Sequence, residues 1–191
     1  MLKNALTGFP EKNMLSKADF RAQLRRAPIS EEGAAKVREF LYALECWINA
    51  ESVFIYVSVY PEIDTREIIR EAFRLKKRVA VPKIVKKGIM QTRGILSLND
   101  LVPGVYGIPE PPEGAPEMLR PDLCVVPCLA CDRHGVRLGH GGGYYDEYLS
   151  RVRCKSVCLC PASAVFDALP FEKHDVKPDI ILTENGVLET V

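Results

Sequence analysis

The chain has 191 residues, of which 47% are hydrophobic, and its 26 basic and 25 acidic residues leave a net charge of +1. This length indicates one domain that is large enough to bury a substantial core. The balanced charge argues against the clustered basic surface of a nucleic-acid-binding protein. No apolar run approaches the roughly 18 residues of a membrane span, and residues 1–13 lack the apolar centre of a signal peptide. We therefore expect a cytoplasmic protein without nucleic-acid or membrane partners.

The first part of the chain predicts a leader and two helices. Residues 1–15 are expected to form a loosely ordered leader. Ser16, with Asp19 three residues later, is a capping pattern for a first helix that Pro28 would end. Ser30 is the expected N-cap of a second helix. The apolar positions that predict its buried side recur at three- and four-residue intervals and are Val37, Phe40, Leu41, Leu44 and Ile48.

A β–α–β unit follows these helices. Residues 52–60 and 78–84 are rich in β-branched residues and predict two strands, with a helix between them that Asp64 or Thr65 caps. The expected core side of that helix consists of Ile68, Ile69, Ala72, Phe73 and Leu75. Such a crossover predicts parallel strands with a right-handed connection. Glu62 would then lie just beyond the carboxyl end of a parallel strand, where open α/β sheets bind ligands. Without further context it could equally be an exposed loop acid.

The second half of the chain alternates strands with short helical segments. A hairpin is expected at residues 87–88, and residues 100–117 contain five prolines and three glycines, which exclude a central strand or a helix. That stretch carries Tyr106 and Glu110, and it is either a rigid wall of a cleft or a plain connector. Further strands are predicted at 119–130, 154–160 and 179–183, and a helix at 143–152. Residues 16–191 therefore predict a single three-layer α/β domain with a mostly parallel sheet.

Arg137 and the glycine-rich segment 139–143 form the most informative local pattern of the chain. Consecutive glycines are typical of positive φ angles or of a close approach between a ligand and the backbone. A glycine-rich loop that begins a helix offers free N–H groups to an anion, and an arginine adds a fork that fits phosphate oxygens. Asp146, a hard oxygen ligand, suits Mg²⁺. The pattern therefore favours a polyphosphate site over a mere glycine hinge.

The seven cysteines allow a different kind of site. Cys124, Cys128 and Cys131 have the C-x3-C-x2-C spacing of some iron–sulfur proteins, and Cys128 and Cys131 with Cys158 and Cys160 could be written as a four-thiolate zinc site. However, most of them lie in segments that predict buried strands, where free cysteine is a common apolar residue. We expect reduced thiols and keep a metal–thiolate protein as a third hypothesis.

Four motifs in the same order resemble those of the 5-formyltetrahydrofolate cyclo-ligase family, also called 5,10-methenyltetrahydrofolate synthetase. The most specific is RLG-x-G-x-GYYD, here residues 137–146, after a D-x-x-G turn at 132–135. The others are Lys17-x-x-x-Arg21, the segment YVSVYPEIDT that holds Glu62, and HDVKPD, which holds Asp175. The resemblance runs over nearly the whole folded part of the chain. It also implies an architecture similar to that of ribose-5-phosphate isomerase and CoA-transferase-like proteins.

The resemblance implies an enzyme that uses Mg²⁺ and ATP to cyclise 5-formyltetrahydrofolate to 5,10-methenyltetrahydrofolate, with release of ADP and phosphate. Its expected ATP-binding residues are Lys17, Arg21, Arg137, Leu138, Gly139, His140, Gly141, Gly142, Gly143, Tyr144 and Tyr145. Its expected folate-binding residues are Val57, Glu62, Tyr106, His140, Gly141, Gly142, Gly143 and Tyr144. Catalytic roles fall to Arg137, His140 and Tyr144, and the metal ligands are Asp146 and Asp175.

One position departs from the family pattern. Many members have arginine where this chain has His140, so that a permanent charge is replaced by one that titrates near neutrality. We therefore expect weaker ATP binding above pH 7 than an arginine would give. The substrate is expected to be a reduced folate, with or without a polyglutamate tail, and the protein a monomer. The alternative hypothesis is a homologue that binds folate or nucleotide without catalysis.

Overall fold

The structure, a computed structural model, describes residues 16–24 and 29–190. Within them the helices are α1 (Lys17–Gln23), α2 (Glu31–Ala43), α3 (Glu45–Asn49), α4 (Arg66–Arg74) and α5 (Tyr144–Arg151). The strands are β1 (Ser52–Ile55), β2 (Arg78–Lys86), β3 (Ile89–Ile95), β4 (Val102–Pro103), β5 (Pro109–Glu110), β6 (Leu123–Val126), β7 (Ala130–Asp132), β8 (Arg137–Leu138), β9 (Lys155–Leu159), β10 (Val165–Phe166), β11 (Ile180–Thr183) and β12 (Gly186–Val187). The predicted leader and the predicted stop at Pro28 lie outside the described residues.

A seven-stranded sheet in the order β12-β11-β9-β6-β1-β2-β3 forms the centre of the domain. The strands from β11 to β2 are parallel, and β12 and β3 add antiparallel edges. The parallel pairing of β1 with β2 confirms the predicted β–α–β unit. The antiparallel β2–β3 pair confirms the hairpin, whose turn contains Gly88 at φ +77°. The strand expected at 52–60 is shorter than predicted, because β1 ends at Ile55.

Helices cover both faces of this sheet, as alternate side chains of β1 demonstrate. Val53 and Ile55 join a core cluster with residues of α2, α3 and α4. Phe54 points the other way and packs in a second cluster with Tyr148 of α5. Because successive strand residues alternate between faces, one strand contributes to both cores. The three-layer α/β prediction is therefore confirmed.

Two serine–aspartate pairs tie together the amino-terminal ends of neighbouring parallel strands. Ser52, at the start of β1, donates its N–H and hydroxyl to Asp122 Oδ2, before β6, at 2.8 and 2.7 Å. Ser156 of β9 donates in the same way to Asp179 Oδ2, before β11, at 2.8 and 2.7 Å. These bonds satisfy backbone donors at the strand ends and fix the register of both strand pairs.

The predicted core side of the second helix is partly wrong. Val37 and Leu41 are fully buried, but Phe40 and Ile48 are 37% and 61% exposed. Ile48 is exposed because α2 ends at Ala43 and the chain has an extended conformation at Leu44 before α3 begins. The helical period is therefore interrupted, and α3 buries Trp47 in place of Ile48. Similarly, Leu75 is 42% exposed because it follows the last residue of α4.

Two smaller sheets flank the carboxyl ends of the parallel strands. One has the order β10-β7-β8, and its core cluster receives Phe20 and Leu24 from α1. The predicted capping of α1 by Ser16 and Asp19 is confirmed. The other is the β4–β5 pair, within the proline-rich stretch. Among the described residues, no helix combines the length and the apolar character that a membrane crossing requires.

Candidate active site

The glycine-rich loop connects β8 to α5 and has the backbone geometry that its sequence predicts. Gly141 and Gly143 adopt φ angles of +95° and +69°, a region that disfavours residues with a side chain. A Cβ atom at Gly142 would lie 2.6 Å from the ring of Tyr144, so this position also excludes a larger residue. Gly143 is the N-cap of α5, and the amino terminus of that helix therefore begins at the loop.

Arg137 and Asp146 form an ion pair at the base of this loop. Arg137 Nη2 donates to Asp146 Oδ1 at 2.8 Å, and Nη1 donates to the carbonyl oxygen of Pro127 at 3.3 Å. The Arg137 side chain is 3% exposed, and its Nε has no hydrogen-bond partner among the described residues. Asp146 Oδ1 also accepts the N–H of Val176 at 3.1 Å, which joins α5 to the HDVKPD segment. A guanidinium that is fixed by a carboxylate in this way is pre-organised to bind an anion.

Helix α1 brings two further cations to the same place. Arg21 Nε donates to the carbonyl oxygen of Gly139 at 2.7 Å, and its guanidinium lies beside Gly141. Lys17 Nζ contacts the carboxylates of Asp175 and, at 3.1 Å, Glu172. Burial raises the pKa of Asp175, but the Lys17 hydrogen bond and the Glu172 N–H more than offset this, so the pKa lies below its usual value. The capped helix thus positions Arg21 at the glycine-rich loop and Lys17 at the segment that contains Asp175.

His140 joins the glycine-rich loop to the segment that follows β1. Its Nε2 lies 2.8 Å from Glu62 Oε1, and the N–H of Val59 donates to Glu62 Oε2 at 2.8 Å. The Glu62 side chain is only 4% exposed, whereas that of His140 is 43% exposed. Glu62 is therefore a fixed, nearly buried acceptor rather than a free loop acid. His140 is the accessible member of the pair.

Tyr106 connects the proline-rich wall to the same loop. Its hydroxyl lies 3.3 Å from that of Tyr144, a contact that raises the pKa of Tyr106. Tyr106 is 72% exposed and adopts φ +59°, an uncommon conformation for a residue with a side chain. The buried Glu110 holds this turn, because it accepts the N–H of Val105 at 3.2 Å and pairs with Lys83 of β2 at 3.3 Å. The wall is therefore anchored to the central sheet.

Three residues of the expected set lie behind the site rather than in it. Val57 and Leu138 are buried, at 4% and 1% exposure, in two different core clusters. Tyr145 stacks on Phe54, with the two ring centroids 6.0 Å apart. The guanidinium carbon of Arg137 lies 6.0 Å from the centroid of the Tyr145 ring. Their side chains contribute to the packing that positions the loop, and their direct ligand contacts stay predictions.

The donor groups at this site fit a polyphosphate with a divalent cation. Three cations converge with the N–H groups of a glycine-rich loop, and carboxylates at Asp146 and Asp175 supply the hard oxygen ligands that Mg²⁺ prefers. Among the described residues, Glu172, His174 and Asp175 form a group whose ligand atoms lie within 4.8 Å of one another, and no three cysteine sulfurs meet that distance. Sequence reasoning did not propose Glu172 and His174 as candidate metal ligands, although the E-x-H-D spacing around Asp175 offered the signal.

Comparison with known proteins matches this chain to one family. The sequence model of the 5-formyltetrahydrofolate cyclo-ligase family matches residues 12–184. The 5-formyltetrahydrofolate cyclo-ligase of Mus musculus is 28% identical over an alignment of 192 positions. The alignment covers 90% of this chain and 95% of the mouse protein. The protein of the same name in Escherichia coli K12 is 29% identical over 153 residues, which cover 74% and 82% of the two chains.

Solved structures agree with these sequence relatives. The NMR structure of 5,10-methenyltetrahydrofolate synthetase from Aquifex aeolicus superimposes with a TM-score of 0.79 at 30% identity and covers 90% of this chain and 91% of that one. The Mycoplasma pneumoniae 5,10-methenyltetrahydrofolate synthetase superimposes with a TM-score of 0.70 at 17% identity and covers 89% and 99%. At that lower identity, the second comparison supports the fold alone.

Proposed function

The chain belongs to the 5-formyltetrahydrofolate cyclo-ligase family, and on this premise we propose that it uses ATP to convert 5-formyltetrahydrofolate to 5,10-methenyltetrahydrofolate, releasing ADP and phosphate. The observation that carries the proposal is the contact between His140 and Glu62. It places the loop that suits a polyphosphate directly beside the strand-end segment that suits a second ligand. Two adjacent ligands are what a reaction between ATP and a folate requires.

The chemistry of the substrate explains why such a site contains cations rather than a nucleophilic side chain. The formyl group on N5 is an amide, and its oxygen is a poor leaving group. Transfer of the γ-phosphoryl group of ATP to that oxygen makes a good leaving group, N10 then attacks the formyl carbon, and phosphate departs as the second C–N bond is completed. Phosphoryl transfer depends mainly on positioning and charge neutralisation.

The residues of the loop and of α1 supply these two effects. Arg137 is held by Asp146 at the base of the loop, so its guanidinium is pre-organised to neutralise phosphate charge. Arg21 and Lys17 add positive charge from the adjacent helix. The backbone of residues 139–143 approaches the phosphates without obstruction by side chains. Together these groups orient the γ-phosphoryl group toward the formyl oxygen.

Asp146 and Asp175 are the proposed ligands of Mg²⁺, which would neutralise phosphate charge and orient the phosphate oxygens when it is bound. Asp146 Oδ1 is engaged by Arg137 and by the N–H of Val176, so the carboxylate is held in a fixed orientation. Asp175 is held by Lys17. Each acid thus has a cationic partner beside it, Arg137 for Asp146 and Lys17 for Asp175.

The folate side of the site consists of Glu62, His140, Tyr106 and Tyr144, with Val57 packed beneath it. Glu62 has one oxygen fixed by a backbone N–H and can accept a hydrogen bond from a pterin N–H group with the other, if His140 moves aside. The exposed Tyr106 ring offers a flat surface on which a pterin can stack, and its hydroxyl contact with Tyr144 links that surface to the ATP loop.

The test is a spectrophotometric assay of the purified full-length chain with 5-formyltetrahydrofolate, Mg²⁺ and ATP, read where methenyltetrahydrofolate absorbs. We expect an absorbance increase that requires ATP and that Asp146→Ala abolishes. Asp167→Ala removes an exposed carboxylate that, among the described residues, pairs only with Arg133; it is the matched control and keeps full activity. If the absorbance does not increase although folate still binds, the chain is a homologue that binds folate or nucleotide without catalysis, and this proposal is wrong.

The proposal includes a monomeric, cytoplasmic enzyme that accepts folates with or without a polyglutamate tail. Seven free cysteines favour a reducing compartment such as the cytoplasm. Sedimentation at several protein concentrations tests the monomer, and comparison of mono- and polyglutamylated substrates tests the preference for the tail.

A further inference from the structure

A cavity lies at the amino-terminal end of the central sheet, whereas the candidate active site lies at the carboxyl ends of the strands. It has a volume of about 730 Å³. Asp122, Lys155 and Asp179, at the starts of β6, β9 and β11, line its floor. Leu149 of α5 and Val152, which follows the last residue of α5, also line it. We call it the basal cavity. Val176, Lys177 and Asp179 of the HDVKPD motif line part of it, but the proposed reaction assigns no ligand to it.

The basal cavity is positively charged. Its lining contains four basic residues, Arg120, Arg153, Lys155 and Lys177, and two acidic ones, Asp122 and Asp179, which leaves an excess of two positive charges. The two acids are also engaged by the serine hydroxyls that tie the strand ends together. The cavity therefore suits a small molecule that carries carboxylates.

Two thiols meet at this cavity. Cys154 is half-buried and lines it, whereas Cys124 on β6 is fully buried behind it. Their Sγ atoms lie 2.6 Å apart, which is within about 0.6 Å of a disulfide bond length. The hydrogen bond from Cys124 lowers the pKa of Cys154, and the same contact together with burial raises the pKa of Cys124. The accessible thiol is thus the better nucleophile, and the buried one is its nearest partner.

We propose that Cys154 is a thiol–disulfide exchange site for small anionic disulfides and that Cys124 is its resolving thiol. The Cys154 thiolate attacks one sulfur of the small disulfide, forms a mixed disulfide and releases one thiolate. The Cys124 sulfur then attacks the Cys154 sulfur, and the second small thiol departs from Cys154 and takes up the proton that Cys124 loses. The net reaction oxidises both cysteines to one protein disulfide and reduces the small disulfide to two thiols.

The resulting disulfide would close a covalent loop around the catalytic segment. The chain between Cys124 and Cys154 contains the glycine-rich loop, Arg137, Asp146 and all of α5. Cross-links across loops of this length stabilise the folded state chiefly by restricting the unfolded chain. We therefore expect the oxidised form to have a Tm higher by roughly 5–10 °C. Reduction by a thiol restores the original Tm.

The test uses oxidised glutathione as the anionic probe and bis(2-hydroxyethyl) disulfide as a neutral probe of the same reaction. Peptide mapping of the oxidised full-length chain should show a Cys124–Cys154 link. The Cys124→Ser variant should instead accumulate one glutathione on Cys154. The Cys154→Ser variant should form no disulfide link and should carry no glutathione on Cys124. Cys46→Ser is the control, because Cys46 is half-buried and burial raises its pKa.

Arg153→Gln separates the role of the cavity from that of the thiol pair. It should slow oxidation by the anionic probe several-fold and leave oxidation by the neutral probe unchanged. All these variants should keep the cyclisation rate of the reduced wild type, because none lies in the candidate active site. Glutathione that reacts first at Cys46, or a wild-type map without the Cys124–Cys154 link, would overturn the proposal. If Arg153→Gln slows oxidation by both probes equally, the proposed preference for anionic disulfides is wrong.

Discussion

Replacement of Arg137 by lysine tests the centre of the candidate site, because it keeps the charge and removes the geometry. In the structure the guanidinium makes two bonds in different directions, to Asp146 at 2.8 Å and to the carbonyl oxygen of Pro127 at 3.3 Å. Its Nε is buried and has no hydrogen-bond partner among the described residues. A lysine ammonium is a point charge on a flexible stem, and it cannot present the same planar set of donors.

The size of the effect follows from the bonds that are lost. A hydrogen bond to a charged group contributes about 1.5–3 kcal/mol. If one such bond to a phosphate oxygen is lost in the transition state, kcat/KM for ATP falls by roughly 10- to 100-fold, since about 1.4 kcal/mol corresponds to a factor of ten. The ion pair with Asp146 is kept, so the free energy of unfolding should fall by only about 1 kcal/mol.

The assay is the initial rate of methenyltetrahydrofolate formation at varied ATP, with a thermal melt of each variant. Arg133→Lys is the matched control, because Arg133 is exposed and pairs at 3.5 Å with Asp167 near the same small sheet. It should change neither kcat/KM nor Tm. If Arg137→Lys retains the wild-type kcat/KM while its Tm falls, Arg137 stabilises the loop and does not act on the phosphates.

Two more predictions concern pH. His140→Arg should lower the KM for ATP above pH 7 and flatten its pH dependence, because a guanidinium stays charged where an imidazole does not; an unchanged pH profile would contradict this. Asp122→Ala should lower the free energy of unfolding by about 2 kcal/mol at pH 7, since it leaves the buried N–H of Ser52 without its acceptor. The hydrogen bonds from Ser52 lower the pKa of Asp122 below 3.8, so this stabilisation is present above pH 3.8 and is lost as the pH falls further. Melts of wild type and Asp122→Ala should therefore converge in acid, and a constant difference in Tm would show that another group carries the effect.

The sequence by itself determined the local elements and the motifs of this protein. The serine caps of α1 and α2, the hairpin at Gly88 and the β–α–β unit depend on residues that are close in the chain, and the structure confirms each of them. The glycines of residues 139–143 predicted positive φ angles for the same local reason. The assignment of ATP and folate to the site came from the resemblance of four ordered motifs and not from periodicity.

Only the tertiary structure decided which of these elements meet. His140 contacts Glu62 over 78 residues, and Lys17 contacts Asp175 over 158 residues. Such pairs depend on the order of the strands, because the carboxyl ends of β1 and β6 become neighbours only when those strands pair. A local pattern contains no information on that order.

Burial likewise required the fold. The three- and four-residue spacing would bury Ile48 in one continuous helix. The helix is interrupted at Leu44, and Ile48 is therefore exposed to solvent. The contact between Cys124 and Cys154 has the same origin, since β6 and β9 are adjacent although a helix separates them in the chain. Local propensity fixes what each segment of this chain becomes, and long-range packing decides which side chains share a surface, because that choice depends on the free energy of the whole core.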